Sequence, residues 1–311
     1  MSNRILVVGS TNVDLIATAR RLPLPGETIL GGRFLQANGG KGANQAVAVA
    51  RSGGNVIFLT AVGDDAYGAD CLSGLENEGI DTSFVRVVKD LPTGVALITV
   101  DSEGENCIVV APGANDALTE DIVATSFNEL PRVAVCVCQL ETPLDGVRRA
   151  LTEATARETI TLLDPAPARD LEDDLLRQVD CMTPNESETE ILTGIRPKSQ
   201  ESAIEAGQVL RDRGVGTIII TLGDRGALLV DESGYTAVPA PRVSTVDSTA
   251  AGDTFSGCLA ARVAEGATFR EAMTYAVCGG ALAVTRAGAQ PSIPCEQAVR
   301  ALERKVSGME D

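Results

Sequence analysis

Eight residues near the C-terminus, Ala250-Ala251-Gly252-Asp253-Thr254-Phe255-Ser256-Gly257, place one acid in a glycine-flanked turn. An apolar run follows, Phe255–Val263, and reads as a helix. A helix start offers unpaired N–H groups and the positive end of the macrodipole, which favour an anion. An aspartate beside an anion site can take a proton from a hydroxyl that attacks a phosphate. The competing reading is an Asp N-cap on a buried helix. Composition bears on the choice, because the chain has no histidine. That removes Ser-His-Asp triads, Cys-His pairs and His-ligated zinc. A general base has to come from Asp, Glu, Lys, Tyr or Cys.

A second segment, Asn38-Gly39-Gly40-Lys41-Gly42-Ala43-Asn44-Gln45, combines glycines with Lys41 and Asn44 at a helix start. Glycines let backbone N–H groups approach a ligand closely. The spacing of a Walker A loop, and its Ser/Thr after Lys, are missing. Donors of this kind suit a small polyhydroxylated ligand if carboxylates accept from it; otherwise the segment is a glycine turn with a solvated lysine. Asn12 and Asp14 follow the first apolar strand and Glu141 follows another. Amide and carboxylate groups suit hydroxyls, which donate and accept, although each residue alone reads as a loop cap.

Asn185 and Glu188 stand three apart at a helix start. They form either a capping pair or a site that orients water around a phosphate-bound magnesium ion. Thr221-Leu222-Gly223-Asp224-Arg225-Gly226 is a strand-to-turn segment able to hold nucleotide phosphates, or a plain β-turn. Asp247-Ser248-Thr249 and Thr285–Ser292 read as loops rich in carbonyl and hydroxyl oxygens, a donor set for a large monovalent cation.

These residues need a scaffold that brings distant loops together. Apolar strands are expected at Arg4–Val8, Val56–Val62, Ala134–Leu140, Thr159–Leu163, Cys181–Thr183 and Thr217–Thr221. Helices are expected at Gln45–Ser52, Tyr67–Glu78, Leu144–Glu158, Leu171–Gln178, Glu186–Thr193 and Ala203–Arg213. Their alternation predicts a mostly parallel sheet covered on both faces, with ligands at the carboxyl ends of the strands. Two stretches break the rhythm. Residues 12–40 include a strand-like Thr28–Leu35, and 93–111 read as a hairpin, Val95–Val100 with Asn106–Ala111. Together they predict a small sheet that projects from the main domain and can close over a ligand; the alternative is an edge meander.

At 311 residues and 44% hydrophobic, the chain can bury one large core, built from aliphatic residues because aromatics are 3%. The net charge of −17 opposes nucleic acid and anionic membranes. The eight cysteines show no CxxC pair, and Cys136 and Cys138 alternate inside an apolar run as small hydrophobes. With no secretory signal, a cytoplasmic setting is expected. No apolar run is long enough for a membrane span.

Gly39-Gly40-Lys41-Gly42-Ala43-Asn44-Gln45 and Ala250-Ala251-Gly252-Asp253-Thr254-Phe255 together resemble the ribokinase (PfkB) family of carbohydrate kinases. The likeness runs from Gly9-Ser10-Thr11-Asn12-Val13-Asp14 to Gly288-Ala289-Gln290-Pro291-Ser292, and includes Asp164-Pro165-Ala166-Pro167-Ala168 and Thr183-Pro184-Asn185-Glu186. It implies one three-layer α/β/α domain over 1–311, with a β-sheet lid at about 12–40 and 93–111 that joins a homodimer. The implied reaction converts ATP and D-ribose to ribose 5-phosphate and ADP, with Mg²⁺ or another divalent cation and K⁺ as activator. Asn12, Asp14, Gly40, Lys41, Asn44 and Glu141 would contact ribose, and Asp253 would be the base on its 5-hydroxyl. Ala250, Ala251 and Gly252 would form an anion hole. Asn185, Thr221, Gly223, Asp224, Gly226, Gly252 and Val277 would lie on the ATP side, and Glu188 near Mg²⁺ through water. Asp247, Thr249, Ala283, Arg286, Gly288 and Ser292 match the loops that bind potassium. Ser248 and Ser256 vary the pattern conservatively, and Val277 stands where some relatives place a polar or aromatic residue. Another sugar, a nucleoside or a vitamin-like alcohol as substrate, and a non-catalytic sensor on the same fold, are the alternatives.

Overall fold

Strands buried on both faces carry aliphatic side chains in unbroken runs, because neither face meets water. That pattern builds the centre of this molecule, a computed structural model that describes residues 3–308. Along the chain the strands are β1 (Arg4–Val8), β2 (Asn12–Thr18), β3 (Phe34–Gly39), β4 (Asn55–Leu59), β5 (Ala61–Gly63), β6 (Arg86–Val88) and β7 (Gly94–Val100). They continue with β8 (Asn106–Ala111), β9 (Val135–Cys138), β10 (Ile160–Leu163), β11 (Cys181–Met182), β12 (Thr217–Thr221), β13 (Ala227–Asp231) and β14 (Gly234–Val238). The α-helices are α1 (Lys41–Arg51), α2 (Ala66–Asn77), α3 (Glu120–Glu129), α4 (Leu144–Ala156), α5 (Asp173–Leu176), α6 (Glu186–Thr193), α7 (Gln200–Asp212), α8 (Ala251–Ala264), α9 (Phe269–Ala283) and α10 (Glu296–Val306).

The main sheet has eight strands in the order β14-β13-β12-β11-β10-β9-β1-β4. It is parallel from β4 to β12, and the hairpin β13–β14 adds two antiparallel edge strands. Alternation divides the core. Leu6, Val8, Cys136 and Cys138 pack with α3, α4 and α7 on one face. Ile5, Val7, Val135 and Val137 pack with α1, α8 and α9 on the other. The fold is thus a ribokinase-like three-layer α/β/α arrangement. Cys136 and Cys138 are buried small hydrophobes as expected, and all eight cysteines are free. Among the described residues no helix is long and apolar enough to cross a membrane.

A second sheet, in the order β3-β2-β7-β8, gathers residues 12–39 and 94–111 beside the main one. β8 is exposed along its whole length. Phe34, Leu35, Leu97, Ile108 and Val109 all stand more than half exposed on this sheet.

The structure departs from the sequence pattern at several points. The strand expected at Thr28–Leu35 begins only at Phe34, because Gly31 and Gly32 both adopt φ of 109°, which ends any extended run. The run Val56–Val62 divides into β4 and β5, and β5 leaves the main sheet to pair with β6. The helix expected at Leu171–Gln178 shortens to the single turn of α5. Helix α1 starts four residues ahead of Gln45, and α8 starts at Ala251 rather than Phe255. Asp253 therefore sits inside the first turn of α8, not in the loop before it. Elements α3, α9, α10 and the β13–β14 hairpin lay outside the expected set.

Candidate active site

Two helix starts face each other at the carboxyl ends of the central strands, and small residues let them do so. Gly40 turns the chain into α1 with φ of 89°, and a Cβ there would lie 2.7 Å from the Asn12 N. α1 then packs on α8, where a Cβ on Gly257 would lie 2.5 Å from the Ala48 Cβ. The contact carries Asn44 to Asp253: the Asn44 Nδ2 donates to the Asp253 Oδ2 at 2.8 Å. The Gln45 Nε2 donates to the Asp253 Oδ1 at 3.3 Å. Asp253 is 6% exposed.

Around this pair the structure collects the acids and amides of β2 and the strand ends. The Glu141 Oε2 accepts from the Ser10 Oγ at 2.5 Å and from the Lys41 N at 3.1 Å, so it anchors the start of α1. Asn12 is aimed by Asn115, whose Nδ2 donates to the Asn12 Oδ1 at 2.8 Å. Asp14 lies on β2 against β3, where a Cβ on Gly39 would come within 2.5 Å of both carboxylate oxygens and the carboxyl carbon. Lys41 is half-buried. Burial pushes its pKa down, but Asp253, Asp164, Glu141 and Glu188 outweigh that and hold the ammonium above its usual range. Burial raises Asp253, and Lys41 opposes the rise. The Asn44 Oδ1 has no hydrogen-bond partner although the residue is 5% exposed. An unpaired buried acceptor beside acids and an ammonium suits a ligand hydroxyl.

Asp14 carries a measurable cost of this arrangement. Burial first, then Glu141 and Asp253, push its pKa up to about 7. A carboxyl raised in the native state binds its proton more tightly folded than unfolded. The cost is absent below the ordinary value, grows as pH rises toward 7, and is complete above it. Asp14→Asn is therefore expected to raise the Tm of the unliganded protein at about pH 8 and to change it little at about pH 4. The gain is a few kcal/mol at most, since a tenfold difference in proton affinity is worth about 1.4 kcal/mol. Thermal unfolding of both proteins at the two pH values checks it, and an equal effect at both would refute it.

On the far side of the α8 start lies a cleft of about 860 Å³. Asn185, Thr221, Gly223, Asp224, Gly226, Gly252 and Val277 all line it, together with Ala251. Ala250 makes the sharp entry to α8 with φ of 59°, a left-handed value for a non-glycine residue. A Cβ on Gly252 would meet nothing within 4 Å, so the first turn of α8 opens into the cleft. The Ala251 N donates to the Ser248 O at 3.3 Å, and the start of a helix offers its remaining N–H groups to an anion.

Asn185 and Glu188 do form a capping box: the Asn185 N donates to the Glu188 Oε2 at 2.8 Å and the Glu188 N to the Asn185 Oδ1 at 2.9 Å. Asn185 lines the cleft, and burial raises the Glu188 pKa. The capping reading of this pair is met. Asp247 accepts from the Thr249 N at 2.9 Å, the Thr249 Oγ1 at 2.6 Å and the Gly288 N at 2.8 Å. Burial opposes ionisation here, but these bonds hold Asp247 below its usual range. They tie the 245–249 loop to the 285–292 loop. Ala283 is buried at the end of α9, its carbonyl accepting from the Arg286 N, and the Ser292 Oγ donates to the Ala289 O.

Five polar residues of the site escaped the sequence reading as site residues: Ser10, Gln45, Asn115, Gln139 and Asp164. All are at most 5% exposed. Gln139 carried a signal, a lone amide inside the apolar run Ala134–Leu140. Gln45 and Asp164 stood in motifs already singled out; Asn115 left no trace.

A model of the pfkB family carbohydrate kinases matches residues 2–296. The chain belongs to that family. This pfkB-family chain is 40% identical to the ribokinase of Haemophilus influenzae over 96% of its own length and 97% of that protein's. It is 38% identical to the deoxyribokinase of Salmonella typhi over 93% and 95%. Among solved structures it superposes on Arabidopsis thaliana ribokinase complexed with ribose and ATP at a TM-score of 0.89, with 30% identity and coverage of 98% and 99%.

Proposed function

We propose that this chain transfers the γ-phosphoryl group of ATP to the 5-hydroxyl of D-ribose, giving D-ribose 5-phosphate and ADP. The observation that carries the reading is Asp253 in the first turn of α8, with a polar pocket on one side and a cleft on the other. The pocket residues Asn12, Asp14, Gly40, Lys41, Asn44 and Glu141 bind ribose. The cleft takes ATP, with its phosphates at the α8 start. Similarity to ribokinases over nearly full length supports the assignment.

The steps follow from the residues. Asp253, ionised, accepts the proton of the sugar hydroxyl as that oxygen forms its bond to phosphorus. The bond between the γ-phosphorus and the bridging oxygen breaks, and ADP leaves. The anion hole at the α8 start, Ala250, Ala251 and Gly252, faces the charge of the transferring group, with the Ala251 N–H shared with the Ser248 O, so preorganised dipoles supply much of the acceleration. The β2-β3-β7-β8 sheet acts as a lid that keeps water from competing as the nucleophile. Its exposed apolar side chains support a homodimer joined through the lid, and eight free cysteines suit a reducing cytoplasm. We read 1–311 as one ribokinase-like domain, a reading supported by the eight-stranded sheet between two helical layers.

Magnesium, when bound, would neutralise phosphate charge. Among the described residues no cluster of three or more acids, cysteines or histidines could hold a metal. In this reading Glu188 and Asn185 would reach a phosphate-bound ion through water, since Mg²⁺ keeps several of its waters. The oxygens of the Asp247–Thr249 and Ala283–Ser292 loops, Arg286 and Gly288 included, fit a potassium ion beside the α8 start.

The 38% identity to a deoxyribokinase favours 2-deoxyribose as the second reading. ADP release measured over a sugar panel, in potassium and then in sodium salts, separates these possibilities. Ribose is expected to be fastest, with the rate falling in sodium. No turnover with ribose would remove the substrate assignment, and equal rates in both salts would remove the potassium site. A solution mass near that of one 32.3 kDa chain would remove the dimer.

A further inference from the structure

The amide of Gln45 stands between two buried acids. Its Nε2 lies 2.7 Å from the Asp164 Oδ2 and 3.3 Å from the Asp253 Oδ1, and its Oε1 accepts from the Gln139 Nε2 at 2.7 Å. Gln45 is fully buried, and Asp164 and Asp253 are 5% and 6% exposed. Burial raises both acids, and with both ionised the order of these amides is set: a carboxylate only accepts, so the NH₂ of Gln45 faces both of them. Its carbonyl then faces Gln139, whose NH₂ must donate. That turns the Gln139 Oε1 toward Gly9, where it has no hydrogen-bond partner and where a Cβ would lie 1.9 Å away. A glycine at position 9 is what leaves room for the end of the chain.

We propose that Gln45 is a positioning residue for phosphoryl transfer: it splits its two amide hydrogens between Asp164 and Asp253, and Gln139 braces the amide from its carbonyl end. Asp164 is the rigid post. It follows β10 directly and receives the shorter bond. Asp253 is then held by Asn44 on Oδ2 and by Gln45 on Oδ1, so its carboxylate plane has one setting toward the pocket. The longer bond falls on Oδ1, which leaves that oxygen the more available to accept a proton. Gln45 itself lies beneath the pocket and touches neither sugar nor nucleotide; it acts through Asp253.

The proposal rests on Asp253 as the base, and the test separates the two. Gln45→Met keeps length and volume but removes both donors. It is expected to lower kcat by about 10- to 100-fold through misplacement of the base. Ribose Kd, measured calorimetrically without ATP, should stay within about threefold of wild type. Gln139→Met removes the brace on the Gln45 carbonyl, which lets the amide shift off Asp253, and is expected to lower kcat less. The double variant should be no worse than Gln45→Met alone, because Gln139 acts only through Gln45. Additive losses, a wild-type kcat in Gln45→Met, or a loss confined to ribose Kd would each overturn the positioning role. If Gln45→Met does not fold, Gln139→Met carries the test: an unchanged kcat overturns the proposal. Should Asp253→Asn keep its turnover, the base assignment fails instead, whatever Gln45 does.

Discussion

Asp253→Asn is expected to lower kcat by about 10²- to 10⁴-fold, the range for loss of a general base, while ribose binding survives. The asparagine keeps the size of the side chain, and its carbonyl can still accept from the Asn44 Nδ2 that now donates at 2.8 Å. Lys41, Asn12 and Asp14 stay where they are, so the sugar pocket is intact. What disappears is the capacity to take a proton. No histidine exists to substitute, Glu141 is held by Ser10 and Lys41 and Asp164 by Gln45, and we assign Asp14 to the sugar. The wild-type enzyme adds a second check. Because burial raises the Asp253 pKa, kcat/KM should climb with pH through a limb lying above the ordinary carboxylate range. Steady-state kinetics and sugar calorimetry on the mutant decide the matter. Turnover within about tenfold of wild type would end the base assignment.

Gly42→Ala is expected to damage both stability and catalysis. A Cβ at this position would lie 2.5 Å from the Gly9 C, 2.6 Å from the Ser10 N and 2.7 Å from the Gly9 Cα. All three are backbone atoms, so no side chain can swing aside. Neither partner yields easily. β1 is bonded on both edges, to β4 and β9, and α1 is packed against α8. Overpacking of this kind costs about 1–3 kcal/mol. The least costly relief lifts the start of α1, which carries Lys41 and Asn44 away from Asp253 and loosens the Glu141 anchor. A drop in Tm with a rise in ribose KM is the expected pair of results. A mutant with wild-type values of both would show that the start of α1 does not need this close approach.

The parallel sheet was legible because its chemistry is local. Strands such as Val135–Cys138 and Thr217–Thr221 are aliphatic end to end, and a doubly covered strand needs nothing else. The hairpin of the second sheet was legible for a similar reason, as Val95–Val100 and Asn106–Ala111 flank a polar turn. Where the reading failed, the outcome depended on partners far along the chain. Gly42 and Ala43 resemble loop residues, yet they are helical, and at Gly42 the chain after β1 approaches too closely for anything larger. Ala251 and Gly252 likewise join α8 rather than the turn before it. β5 looks continuous with β4, but it pairs with β6 instead of staying in the main sheet.

The sequence by itself narrowed the candidate base and the class of chemistry. A chain without histidine that holds Asp253 next to a helix start has few other bases, and two glycine-rich segments fix where backbone donors can approach. Side-chain type and spacing are enough for that, since pKa class, donor count and glycine freedom belong to single residues. Only the tertiary structure decided what each group faces. Gln45 sits 208 residues from Asp253 and 119 from Asp164, and Asn115 is 103 from Asn12. Hydrogen bonds at that separation exist because the crossovers of a parallel sheet bring the ends of its strands to one edge. No local pattern encodes them.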